Sequence, residues 1–179
     1  MDKAKPYSGP PILSFVGNSG SGKTAYLEKL IPLLKAKGLR LGIVKSDAHD
    51  FDIDIPGKDS WRFTQAGADI TVIASPQKMA LIEKWEEKEN LEQLALRIKN
   101  ADLILSEGFR RDFPPKIEIR RAACGHEKLF EQGQLFAVVT DIPESEVSRD
   151  DPVVYLPLDD PQPLVELITK YIKTYNAGR

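Results

Sequence analysis

The eight residues Gly17-Asn18-Ser19-Gly20-Ser21-Gly22-Lys23-Thr24 match the pattern G-x-x-x-x-G-K-[ST] at every fixed position, and they lie between an apolar run and a helix-periodic stretch. Glycines in such a loop let the backbone curl so that successive N–H groups point inward at a phosphate, and the following helix adds the partial positive charge of its N-terminus. Lys23 is placed to reach β/γ-phosphates and Thr24 a bound Mg²⁺. The motif also constrains the fold. A buried strand must enter the loop and a helix must leave it, which points to a P-loop NTPase-like α/β architecture with a mostly parallel sheet flanked by helices.

The chain has 179 residues, enough for one such domain over residues 11–179 behind a short tail at 1–10. With 41% hydrophobic and 29% charged residues and a formal net charge of −2, nothing in the overall balance draws it toward nucleic acid or an anionic membrane. Any affinity for anions must be local. Cys124 is the single cysteine, which excludes an intrachain disulfide and a cysteine-based zinc cluster and fits a reducing compartment. Residues 1–10 lack the apolar core of a signal peptide, and no apolar run is long enough to span a bilayer, so a cytoplasmic protein is expected.

Ile12 to Val16 reads as the buried strand entering the loop. Leu27, Leu30, Ile31 and Leu34 recur at helical spacing from Thr24 to Lys37, with Gly38 as the cap and Pro32 predicting a kink or break. Leu39 to Lys45 is a second strand and Ser46 to Gly57 a polar, acidic loop at its end. A short helix from Asp59 or Ser60 to Gln65, stopped by Gly67, precedes two strands at Ile70 to Ala74 and Met79 to Trp85, an antiparallel hairpin extension turning at Pro76. Asn90 and Gln93 form a capping box for a helix to Lys99. Asp102 to Ser106 and Leu135 to Thr140 read as buried strands. Ile117 to Arg120 alternates apolar and charged residues, which predicts a half-exposed edge strand. A strand at Val153 to Leu156 and an amphipathic helix through Leu164, Val165, Ile168, Tyr171 and Ile172 close the chain.

Several residues outside the loop carry chemistry. Leu103-Ile104-Leu105-Ser106 followed by Glu107-Gly108 is Walker B-like, because an acidic residue at the tip of a neighbouring strand holds Mg²⁺ or its water. The loop after the second strand concentrates Asp47, His49, Asp50, Asp52 and Asp54, carboxylates that repel one another unless solvated or shared with a cation; Asp47, nearest the strand end, is the candidate for a second Mg²⁺-linked carboxylate. Lys45, Lys58, Arg62, Arg110, Arg111, Arg120 and Arg121 supply cations near strand ends, and the Arg110-Arg111 pair directly after Glu107-Gly108 suits bidentate phosphate contacts as well as it suits a solvated turn. Thr140-Asp141 ends a strand, where a carboxylate can accept the N1 and N2 protons of guanine or serve as a cap or turn. No Asn-Lys-x-Asp motif is present, so the residues themselves leave the base open.

Val44-Lys45 through Asp47 and His49, Asp54-Ile55-Pro56-Gly57-Lys58-Asp59-Ser60, Ala66-Gly67-Ala68, Ser106-Glu107-Gly108-Phe109 and Pro115-Lys116-Ile117-Glu118, in this order behind a P-loop, together resemble the molybdopterin-guanine dinucleotide biosynthesis adaptor family, MobB. The resemblance runs from about Ile12 to about Asp141. It implies a GTP-binding homodimer, joined through sheet and strand contacts, that hydrolyses GTP slowly at most and assists the guanylyltransferase joining GMP to molybdopterin. Carried over residue by residue, Gly17 to Thr24 hold the phosphates, Thr24, Glu107 and Asp47 lie on the Mg²⁺ side, and Thr140 and Asp141 lie near the base. Ser46 and Ala48 stand where family members often carry histidines, which leaves His49 alone in that stretch. The competing readings are a small-molecule kinase, which would need an acceptor pocket and an arginine-bearing lid, and a stand-alone GTPase switch, for which no motif places a water-orienting glutamine.

Overall fold

The computed structural model describes residues 7–46, 51, 53–112, 115–125, 129–130, 132–146 and 153–178. Its main elements are β1 (Ile12–Val16), α1 (Lys23–Ala36), β2 (Leu41–Lys45), α2 (Asp59–Gln65), β3 (Ile70–Ala74), β4 (Met79–Glu83), α3 (Leu91–Arg97), β5 (Leu103–Glu107), β6 (Lys116–Arg120), β7 (Leu135–Thr140), β8 (Val154–Pro157) and α4 (Gln162–Ala177). They fall into two compact units, one formed by Met1–Ser46 with Asn90–Arg179 and the other by Asp47–Glu89.

The larger unit holds a six-stranded sheet in the order β2-β5-β1-β6-β7-β8, with every neighbouring pair parallel. Both faces are covered, so its inner strands read as near-continuous apolar runs. Alternate residues serve opposite faces. Leu13, Phe15, Leu103, Leu105, Ile117, Ile119, Ala137 and Val139 pack beneath Leu27, Leu30 and Leu34 of α1 and Leu164, Val165 and Ile168 of α4. On the other face Ile12 and Ile104 meet Leu91 and Ala95 of α3 together with Phe109. The capping box is formed as expected: Gln93 N–H donates to Asn90 Oδ1 and Asn90 N–H to Gln93 Oε1, each at 2.9 Å. Pro32 does not break α1. It sits on the exposed side of a continuous helix, where water can take the carbonyl of Glu28 that the proline leaves without a donor.

The smaller unit is built on the antiparallel β3–β4 hairpin, a sheet of its own, with α2 packed against β3. Cross-strand partners share a face, and one face carries Ile70, Val72, Leu81 and Met79, each more than half exposed.

The strand expected at a half-exposed edge is an inner one. β6 lies between β1 and β7, and the edges of the sheet are β2 and β8. Its charged residues Lys116, Glu118 and Arg120 are only 3%, 1% and 8% exposed. The reason is pairing along the strand. Glu118 and Arg120, two residues apart, project to the same side, and Arg120 donates from Nε to Glu118 Oε1 at 3.1 Å and from Nη2 to Oε2 at 2.8 Å. Burial alone would lower the Arg120 pKa, but the hydrogen bonds and charge of Glu118, with a further bond to Tyr155 of β8, raise it above the usual arginine value. An inner strand also cannot pair with a second copy, which removes Ile117 to Arg120 as a dimer edge.

Removing one partner strands a buried charge. Glu118→Ala is expected to destabilise the fold by about 3–5 kcal/mol in urea denaturation, whereas the joint replacement Glu118→Met with Arg120→Leu recovers most of that loss.

Candidate functional site

β1 delivers the chain to the glycine loop, and three glycines give it its shape, with φ of 150° at Gly17, 76° at Gly20 and 90° at Gly22. At Gly17 the reason is also steric. A Cβ there would lie 2.4 Å from the carbonyl oxygen of Ile119 in β6. Gly22 is the N-cap of α1 and offers no side chain to the first helical N–H groups, which keeps the positive end of the helix open to an external anion.

The side chains predicted to work together converge here. Lys23 folds back over the loop, its Nζ donating to the carbonyls of Gly17 at 3.2 Å and Asn18 at 2.9 Å. Thr24 donates from Oγ1 to Glu107, with both carboxylate oxygens at 3.0 Å. Sheet register explains that contact, since Glu107 ends β5 opposite Phe15 of β1 and opposite Lys45 of β2. A hydroxyl and a carboxylate side by side are hard oxygen donors of the kind Mg²⁺ takes. Among the described residues no group of three or more His, Cys, Asp or Glu side chains comes together to hold a metal.

The structure ranks the arginines where sequence could not. Arg110 donates from Nη2 to the Gly17 carbonyl, which fixes a second cation on the loop. Burial is the largest influence on Lys23 and lowers its pKa below the usual lysine value; Arg110 adds to the lowering, while Glu107 and Cys124 oppose it. Arg121, just past β6, puts its Nη2 3.4 Å from where a Gly22 Cβ would stand. Asn18 Nδ2 donates to the Cys124 carbonyl at 3.2 Å, so the turn Ala122–Cys124 closes the far side of the loop. Neither Arg121 nor this turn carries a periodicity or motif that marks it; only the topology brings them back. Arg120 is spent on Glu118 and is not a loop cation.

Asp141 accepts from the Ala122 N–H at 2.7 Å through Oδ1, and its Oδ2 lies 3.9 Å from Arg121 Nε. Thr140 Oγ1 accepts from the Ile142 N–H at 3.0 Å. The pair thus shapes the turn after β7 and stands on the loop's side of the sheet through Arg121. Asp54 belongs to the smaller unit, where Oδ1 accepts from Ser60 Oγ and the Ile55 N–H, both at 2.9 Å. Asp47, His49, Asp50 and Asp52 lie outside the described residues.

A parallel sheet with a complete glycine loop between β1 and α1, and a loop threonine bonded to an acidic residue on the neighbouring strand, defines a P-loop NTPase-like protein. Residues 12–141 match the family described as MobB, molybdopterin guanine dinucleotide synthesis protein B, and the chain belongs to that family. It is 39% identical over 173 residues to the molybdopterin-guanine dinucleotide biosynthesis adapter protein of Escherichia coli (strain K12), covering 93% of this chain and 96% of the relative. The Haemophilus influenzae adapter protein is 39% identical over 113 residues, 62% of this chain and 64% of the relative. Among solved structures, a molybdopterin-guanine biosynthesis protein B superposes with a TM-score of 0.65 at 29% identity, over 89% of this chain and 99% of that one. Bacillus subtilis MobB superposes with a TM-score of 0.68 at 25% identity, over 89% and 96%.

The close approach at Gly17 gives a direct check. Gly17→Ala is expected to cost more than about 1 kcal/mol of stability through steric and backbone strain, read as a lowered thermal midpoint, whereas Gly20→Ala meets no atom within 4 Å and costs only its own backbone strain.

Proposed function

We propose that this chain is a GTP-binding adaptor in molybdenum cofactor biosynthesis, which assists the guanylyltransferase that forms molybdopterin-guanine dinucleotide. The observation that carries the reading is the loop itself, with Lys23, Arg110 and the open N-terminus of α1 gathered where phosphates would lie and Thr24 joined to Glu107 beside them. In this reading Gly17, Asn18, Ser19, Gly20, Ser21, Gly22, Lys23 and Thr24 hold the triphosphate. Thr24 and Glu107, with Asp47 as a second carboxylate, hold Mg²⁺. Thr140 and Asp141 face the guanine. Hydrolysis is slow at most, and the nucleotide acts by ordering the adaptor for its partner enzyme and for molybdopterin.

The exposed apolar face of the β3–β4 hairpin supports a homodimer, since covering Ile70, Val72, Leu81 and Met79 would remove apolar surface from water. Among the described residues no helix is long and apolar enough to cross a membrane, and the reading places the protein in the cytoplasm without nucleic acid or membrane as partner. The kinase reading required an arginine-bearing lid over the phosphates, with Arg110 to Arg121 the stretch available for one; Lys116–Arg120 within that stretch form an inner strand.

Equilibrium titration tests the nucleotide. GTP with Mg²⁺ is expected to bind more tightly than ATP, and Lys23→Ala to weaken GTP roughly 10- to 100-fold, the worth of a charge-assisted hydrogen bond. Equal affinity for GTP and ATP would sink the guanine role of Asp141. Affinity capture with the guanylyltransferase tests the adaptor role, and retention that rises when GTP and Mg²⁺ are added is the expected result.

A further inference from the structure

Beside the glycine loop, the segment after β5 and the residues leading into β6 and β7 line a half-open cavity of about 620 Å³, within the usual range for a small-molecule site. Its lining includes Arg110, Arg111, Asp112, Lys116, Phe130 and Phe136. Lys116 is the informative member. It is 3% exposed, yet it has no carboxylate within ion-pair distance among the described residues. Its Nζ donates to the Asp112 carbonyl at 2.6 Å and sits 5.5 Å from the centre of the Phe130 ring, and among the described residues it has no other hydrogen-bond partner. Burial lowers its pKa below the usual lysine value, and the Asp112 charge offsets this only in part. Four residues further along the same strand, Arg120 has its full carboxylate partner in Glu118. A buried cation that lines a pocket with no carboxylate on it among the described residues stands where an anion can reach it.

Two further cations line the same space, and Arg111 makes no other hydrogen bond or ion pair among the described residues. Phe130 and Phe136 add aromatic walls. Arg110 belongs to both places, since it lines the cavity while its Nη2 holds the Gly17 carbonyl of the glycine loop. We infer that this cavity is a second ligand site, which takes the phosphate monoester of a small flat-ring molecule, its phosphate against Lys116 and the arginines and its ring against the two phenylalanines. Arg110 is the link between this ligand and whatever the glycine loop holds. The inference needs neither the guanine assignment nor the adaptor role.

Phenyl phosphate is a suitable probe, titrated calorimetrically into the full-length protein saturated with GTP and Mg²⁺ and, in parallel, into the Lys23→Ala protein without nucleotide. Binding is expected in both, with inorganic phosphate at least roughly 10-fold weaker than phenyl phosphate in the Lys23→Ala protein because it lacks the ring contacts. Lys116→Met, which keeps the volume and removes the charge, is expected to weaken phenyl phosphate by at least roughly 10-fold while raising the thermal midpoint of the ligand-free protein. That opposition of binding and stability is the signature of a cation kept for a ligand. Binding abolished by Lys23→Ala would assign the probe to the glycine loop and overturn the inference. So would undiminished affinity in Lys116→Met, or a lowered midpoint, which would make Lys116 a structural residue. Because the Lys23→Ala arm uses no nucleotide, failure of GTP to bind leaves this test intact.

Discussion

The carbonyl oxygen of Ile119 occupies the space that a side chain at Gly17 would need, and much of the site follows from that approach. It seats the glycine loop on β6. The loop can then be supported only if β6 runs through the interior of the sheet, beside β1 and not at the rim. An interior β6 in turn forces its polar face to be satisfied from within, which Glu118, Arg120 and Tyr155 accomplish together. Past the end of the strand the chain turns back against the loop, so that Arg121 and the Cys124 carbonyl reach Gly22 and Asn18.

The phosphate loop is therefore held from two sides by different forces. On the β5 side the hold is polar and local: the Thr24 hydroxyl on Glu107, with Lys45 next to Glu107 in register. On the β6 side it is backbone contact and a bracing turn. Positive charge from Lys23, Arg110 and Arg121 is gathered around the N-terminus of α1, against which only Glu107 and Asp141 stand close by among the residues described for the site. A cation at the positive end of a helix is unfavourable in itself and becomes favourable when an anion bridges the two.

Much of this was legible in the sequence, and the parts that were not have a common cause. The loop, its entering strand, the capping box at Asn90 and the acidic strand end at Glu107 are all local patterns whose chemistry is complete within a few residues. β6 was misread because alternation of apolar and charged residues ordinarily marks one dry face and one wet one, and periodicity does not register that Glu118 and Arg120 neutralise each other on the same side. A Glu-x-Arg pair of opposite sign at a spacing of two was the available clue. Arg110 and Arg121 could be named as cations from sequence, but which of them touches the loop depends on where β6 sits, a non-local fact. Pro32 leaves α1 continuous, since an exposed proline in a helix packed by its opposite face costs a hydrogen bond that water can replace.

The strand order has a consequence for how the molecule comes into being. β1 is among the first elements synthesised, yet both of its neighbours, β5 and β6, lie far along the chain; the Ser14 and Ser106 hydroxyls that meet at 2.7 Å are 92 residues apart. In the chain, the whole hairpin unit comes between β1 and β5. Contacts of such long range close slowly, because the entropy of the intervening chain is spent before any pairing rewards it. A growing chain thus carries a finished glycine-loop sequence long before it owns a binding site, and the apolar strand β1 waits without either neighbour until Leu103–Glu107 has emerged and without the second until Lys116–Arg120 has followed. The nucleotide site is the late product of an early motif.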